Sequence, residues 1–133
     1  KAISASAIRG RDIFMEEANC FECHFGPDFT VDEMVNIGIF NGKDLNDKGL
    51  GGITGKAEDM GKFKVPGLRN IIKTAPYMHN GMFSTLREVI EYYNNPDSFI
   101  PNSINTDARL RKPLNLTEQQ KVDLEAFLIA LSD

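Results

Sequence analysis

Cys20-Phe21-Glu22-Cys23-His24 is the stretch on which the reading of this chain turns. Two cysteines separated by two residues, with a histidine directly after the second, form the pattern of covalent c-type haem attachment. Each thiol can add to one vinyl group of the porphyrin as a thioether, and the adjacent histidine can then rise under the ring to the iron. Three other readings compete: a thioredoxin-like redox pair, half of a zinc site, and a structural disulfide. A redox pair belongs beside a βαβ unit, and the strand signal is weak throughout. A structural zinc needs four N or S ligands. With two Cys and two His in all, such a site would have to recruit His79 from far along the chain. Haem attachment is therefore the reading the spacing supports.

The bulk of the sequence suits a housing for one such group. At 133 residues it fits a single domain over residues 1–133, able to bury about two-thirds of its unfolded surface. A hydrophobic content of 41% and a charged content of 26% are ordinary for a globular protein. No apolar run approaches the roughly 20 residues that span a bilayer. The chain opens at Lys1 with neither an initiator Met nor a signal peptide, which points to a processed or truncated N-terminus. Because haem c is generally attached outside the cytoplasm, the expected compartment is the bacterial periplasm. A net charge of −4, made more negative by two haem propionates, argues against nucleic acid and for a protein partner with a basic patch.

Working outward from the motif, residues 4–19 read as a helix capped by Ser4 or Ser6, with Ile13 and Phe14 as apolar anchors. Gly10 and Phe14 share a face on which the missing side chain lets another helix approach. Downstream, Phe25-Gly26-Pro27-Asp28-Phe29-Thr30 is turn-rich and should wrap the proximal side of the haem. A ligating histidine usually donates its second ring N–H to a fixed acceptor, and the carbonyl of Pro27 or a neighbour is expected to provide it. Residues 31–61 read as loop with a short extended piece at 34–39, ordered by packing on the porphyrin. Residues 63–73 read as a short helix entered through Pro66, and 74–81 as a turn. Thr85 and Glu88 form a capping box for a helix from Leu86 to Tyr93 or Asn94. Its stripe is Leu86, Val89, Ile90 and Tyr93, with Tyr92 pointing away from it. A second irregular stretch runs from 97 to 115. Thr117 and Gln120 then cap a final helix, Glu118 to Leu131, whose stripe Leu124, Phe127, Leu128 and Leu131 should cross the first helix near Gly10 and Phe14. The expected fold class is mainly α.

Several of these segments also carry a family resemblance. Gly10-Arg11-Asp12-Ile13-Phe14, the haem motif, Asn36-Ile37-Gly38, Gly61-Lys62-Phe63-Lys64-Val65-Pro66-Gly67-Leu68-Arg69-Asn70 and Thr74-Ala75-Pro76-Tyr77-Met78-His79-Asn80-Gly81 are similar to the C-terminal haem domain of bacterial dihaem cytochrome c peroxidases and their MauG-type relatives. So are Thr85-Leu86-Arg87-Glu88-Val89-Ile90 and Leu114-Asn115-Leu116-Thr117. The haem motif is common to every c-type cytochrome, whereas the Phe-Lys-Val-Pro and Ala-Pro-Tyr-Met-His runs are far more specific.

The resemblance implies a cytochrome c fold with N- and C-terminal helices crossing, and long loops wrapped around one covalent haem c held by Cys20 and Cys23. It implies His24 as proximal iron ligand, in the domain that accepts electrons and passes them to a second haem outside this chain, which is then either a fragment of a dihaem enzyme or a stand-alone monohaem relative. It also implies a calcium ion at the interface of the two domains, held in part by the backbone carbonyls of Thr74 and Pro76. The position that bears the sixth iron ligand in the family is methionine in peroxidases and Tyr93 here, the MauG-like choice. The alternatives at that position are an open or water-bound site, Met78, Met82, Met60 and His79. A lone turn histidine is more often a packing residue, and methionines, Met34 included, are general gap-fillers. The leading function is one-electron transfer. Its rivals are peroxide reduction at this haem, for which Glu88 and His79 are the nearest acid/base groups, and a small-gas-binding sensor module.

Overall fold

The frame is set by two helices from opposite ends of the sequence, and the computed structural model describes it over residues 2–132. Lys1, where a processed N-terminus is expected, lies outside the described residues, as does Asp133. Helix α1 (Ala5–Met15) starts at Ser4, whose hydroxyl accepts the Ala7 N–H at 3.1 Å. It stops four residues short of the expected end, and Asn19 adopts a left-handed φ of 53° that turns the chain into the haem motif. Asparagine tolerates that conformation better than most residues. Helix α5 (Glu118–Ala130) starts in a complete capping box: Thr117 Oγ1 accepts the Gln120 N–H at 3.1 Å, and Gln120 Oε1 accepts the Thr117 N–H at 2.9 Å.

The two helices cross where Gly10 removes the obstacle. A Cβ at Gly10 would lie 1.8 Å from the carbonyl oxygen of Asp123, so only glycine allows this approach. Around the crossing, Ile13 and Phe14 pack with Leu124, Phe127 and Leu128. The Phe14 and Phe127 rings meet edge to face at 5.2 Å, and Phe29 from the proximal loop contacts both. Asp123, buried at the rim, accepts from Arg9 twice at 2.8 Å, from Ser6 at 2.5 Å and from Gln119 at 3.1 Å. The Arg9 and Ser6 hydrogen bonds hold its pKa down at about 2.

Within residues 31–61, backbone turns and two asparagine side chains supply the ordering hydrogen bonds. Asn36 is buried; its amide donates to the carbonyls of Met60 and Ile104, each at 2.9 Å, and its Oδ1 accepts from Gly38 N–H at 2.8 Å. Asn41 Oδ1 accepts from the backbone of Lys43 and Leu45 in the same manner. The same segment also contains a short helix, α2 (Gly51–Thr54).

The expected helix over 63–73 does not form. Phe63–Lys64 is a strand, β2, pairing antiparallel with β1 (Met34–Val35), and only Ile71–Lys73 makes one helical turn. Pro66 disfavours the helical region for Val65, and Val65 is fixed extended at both ends: its N–H donates to Glu33 and its carbonyl accepts from Thr30 Oγ1 at 2.6 Å.

Helix α3 (Leu86–Asn94) is capped by Thr85, whose Oγ1 accepts the Glu88 N–H. Glu88 in turn accepts from the Ser84 N–H at 3.3 Å and from the Thr85 hydroxyl at 3.2 Å, in place of the Thr85 N–H of a full capping box. Leu86 and Ile90 are buried as the stripe requires, with Val89 and Tyr93 packed beside them. Tyr92 points off the stripe but not to solvent. It is completely buried against Phe83 and Phe99, and its hydroxyl donates to the Ile37 carbonyl at 2.6 Å. Phe99 comes from α4 (Pro96–Phe99), which follows α3 directly and gives it a second buried side. Among the described residues no helix is long and apolar enough to cross a membrane.

Candidate haem-attachment site

The attachment motif occupies one tight 3₁₀ turn. Cys23 N–H and His24 N–H both donate to the Cys20 carbonyl, at 3.2 and 2.9 Å. Both thiols are free. Burial pushes the Cys20 thiol up to about 12, and burial also raises Cys23. A redox-active pair usually shows the opposite shift, and the sheet among the described residues is a two-stranded antiparallel pair and not part of a βαβ unit. Among the described residues no three His, Cys, Asp or Glu side chains converge to cage a metal ion, the motif's own residues included.

His24 is oriented by its other nitrogen. Nδ1 lies 2.8 Å from the carbonyl oxygen of Phe29. A carbonyl can only accept, so Nδ1 carries the proton and Nε2 keeps its lone pair for a metal. Burial lowers the His24 pKa, with the Phe29 and Pro66 carbonyls acting against it. The expected acceptor is therefore present, two residues beyond Pro27. The Pro27 carbonyl is instead taken by Arg69 Nε at 2.7 Å. Phe29 aims its carbonyl by adopting a left-handed φ of 53°, and Leu68 N–H donates to the preceding carbonyl of Asp28. The Val65–Arg69 segment thus straps the proximal loop in place.

Cys20 and Tyr93 are both partly buried and pack on the core. Burial pushes the Tyr93 hydroxyl up, and Tyr92, Cys20 and Cys23 add to the shift, which places the phenol within electrostatic reach of both thiols. Partly buried Phe29, Ile37, Leu68, Met78, Val89 and Leu114 also pack on the core. Two free thiols on one turn, followed by a histidine whose Nδ1 is held by a backbone carbonyl, fit a c-type haem.

The other sequence-predicted residues are dispersed. His79 stacks on Phe63, ring centroids 3.8 Å apart and nearly parallel, with Asp47 opposing the lowering of its pKa by burial. Met34 and Met82 are exposed at 38% each. Met60 packs against Gly51, and Met78 rests half-buried on the core. Thr74 and Pro76 are both exposed, on a turn that includes a cis Ala75–Pro76 bond. Glu88 is engaged in the cap of α3. Two features escape the sequence: the Phe29 carbonyl, a backbone group with only the Gly26-Pro27 turn to hint at it, and Arg109, which reaches the motif from residues 108–114. A cleft of about 400 Å³ separates that segment from Glu17, Asn19 and Glu22.

No family model matches the chain. Individual relatives do. It is 36% identical to the cytochrome-c peroxidase IdrP1 of Denitromonas iodatirespirans, over 98% of this chain and 41% of that protein. It is 34% identical to the methylamine utilization protein MauG of Methylorubrum extorquens, over 98% of this chain and 35% of that one. Among solved structures, a MauG-like protein associated with microbial copper homeostasis superposes with a TM-score of 0.87 at 33% identity, covering 99% of this chain and 48% of its own. The diheme peroxidase BthA from Burkholderia thailandensis shares the fold at a TM-score of 0.81 and 23% identity, with 99% and 43% covered. The chain spans about two fifths of the length of the curated relatives it matches. Sharing a third of its residues with both groups along nearly all of its length, and their helical cytochrome c-like fold as well, the chain belongs to the bacterial dihaem cytochrome c peroxidase and MauG family and corresponds to its C-terminal haem domain.

Proposed function

We propose that residues 1–133 act as a one-electron transfer domain with a single covalent haem c, paired with a second haem domain or a redox partner protein. Such a haem supplies a reversible ferric/ferrous couple, and the protein sets its potential through ligands, burial and hydrogen bonds. Cys20 and Cys23 anchor the porphyrin, and His24 Nε2 is the proximal ligand. The Phe29 carbonyl keeps that imidazole in one tautomer and one orientation. Tyr93 is the distal ligand. The observation that supports this reading is that Tyr93 packs on the same core as Cys20 and lies within electrostatic reach of both attachment thiols. The stacking of His79 on Phe63 supports a packing role for that histidine. Peroxide reduction or gas binding at this haem needs a displaceable distal position and, for peroxide, an acid/base group within reach. Glu88 is committed to its cap.

The compartment that suits this chemistry is the periplasm, and the net charge of −4 suits a partner with a basic patch. The exposed Thr74 and Pro76 carbonyls would hold a calcium ion only together with groups from a second domain.

Replacing Tyr93 with Phe tests the ligand. A phenolate favours ferric iron, so the Tyr93→Phe variant should show a changed ferric absorption spectrum and a higher midpoint potential, with its unfolding temperature nearly unchanged. An unaltered spectrum would remove Tyr93 from the iron. A sulfur-to-iron charge-transfer band in the parent would assign the position to a methionine.

A further inference from the structure

We infer that Arg109 is a positioning residue for the redox potential: its guanidinium, locked by Asp107 and Glu33 beside the attachment turn, biases the site toward its reduced form. This rests on the haem reading above. The lock is specific. Arg109 Nε and one terminal nitrogen grip the two oxygens of Asp107, each at 2.9 Å, and the Arg109 backbone N–H donates to the same carboxylate at 2.9 Å. A two-pronged pairing of this kind fixes direction as well as charge. That terminal nitrogen also stands 3.5 Å from both Glu33 oxygens. Asp107 is itself anchored, its N–H donating to the carbonyl of buried Asn36 at 2.9 Å. Side-chain exposure of 32% for Arg109 and 25% for Asp107 leaves the pair only partly screened.

Arg109 and Glu22, the residue before Cys23, line the same cleft. Lys112 and Glu17 line it too, and Arg109 is the cation that Asp107 and Glu33 hold fixed at this cleft. Reduction adds one electron to the haem site. A neighbouring cation therefore favours the reduced form and a neighbouring carboxylate the oxidised form. Removing the guanidinium leaves two uncompensated carboxylates at the motif.

The test is a redox titration of the haem-loaded protein and two variants. Arg109→Gln should lower the midpoint potential and Glu33→Gln should raise it, with the ligation bands of all three spectra alike. A merely structural role would move both variants in the same direction through loosening of residues 105–114. Shifts of the same sign, or no shift in either, overturn the inference. If Arg109→Gln does not fold, Glu33→Gln decides: a rise supports the assignment and an unmoved or lowered potential overturns it. Intact ligation bands with unmoved potentials would reject the role of Arg109 alone. A parent without covalent haem would reject the haem reading, and this inference with it.

Discussion

Gly10→Ala should destabilise the protein by about 3 kcal/mol, near the top of the usual range for overpacking a tight core, and lower its melting temperature by about 10 °C. The added Cβ would lie 1.8 Å from the Asp123 carbonyl oxygen, 2.5 Å from its carbon and 2.9 Å from Phe127 Cβ. Two of these are backbone atoms of α5, so no rotamer change relieves the clash and the helices must separate. Separation would also part Phe14 from Phe127 and disturb the shell around Asp123. The sign is diagnostic. At an open helical position alanine stabilises relative to glycine by about 1 kcal/mol, so a variant that melts higher than the parent would show that α1 and α5 do not cross at Gly10.

The second large effect should come from His24→Ala in the haem-loaded protein. Both cysteines remain, so the thioethers hold the porphyrin while the proximal ligand is lost. Binding confined to the folded state stabilises by RT ln(1 + [L]/Kd), about 3 kcal/mol once ligation exceeds its dissociation level a hundredfold. Loss of the imidazole also leaves the Phe29 carbonyl without its donor, at a further cost of about 1 kcal/mol or more. The expected result is a large fall in melting temperature, followed by thermal unfolding at the haem absorption. An unchanged melting temperature would mean that iron ligation by His24 plays no part in holding the fold.

The parts of this fold that sequence reveals are those written in short-range chemistry. The haem motif is five consecutive residues, and Thr117 with Gln120 marks the start of α5 within a single turn. Gly10 on the apolar face of α1 hints at the crossing, but a merely tolerated glycine reads the same until the Asp123 carbonyl is seen against it. Where distant groups decide, local pattern misleads. Phe63–Lys64 becomes a strand because Met34–Val35 arrives alongside it, and Val65 is held extended by Glu33 and Thr30. Tyr92 is buried although it lies off the helical stripe, because Phe83, Phe99 and the Ile37 carbonyl form a second buried side that one period cannot express. At the site, the residue types that hold a haem are visible in sequence. The acceptor that orients His24 is a backbone carbonyl, and Arg109 lies 86 residues from Cys23; neither leaves a local pattern.

The central claim is that Cys20 and Cys23 bind one haem through two thioethers. Extraction of the protein with acidified acetone, followed by intact-mass measurement, tests it directly. The pigment should stay with the polypeptide, and the mass should exceed that of the chain by one haem. A colourless polypeptide of unmodified mass, with free haem in the organic phase, would contradict it.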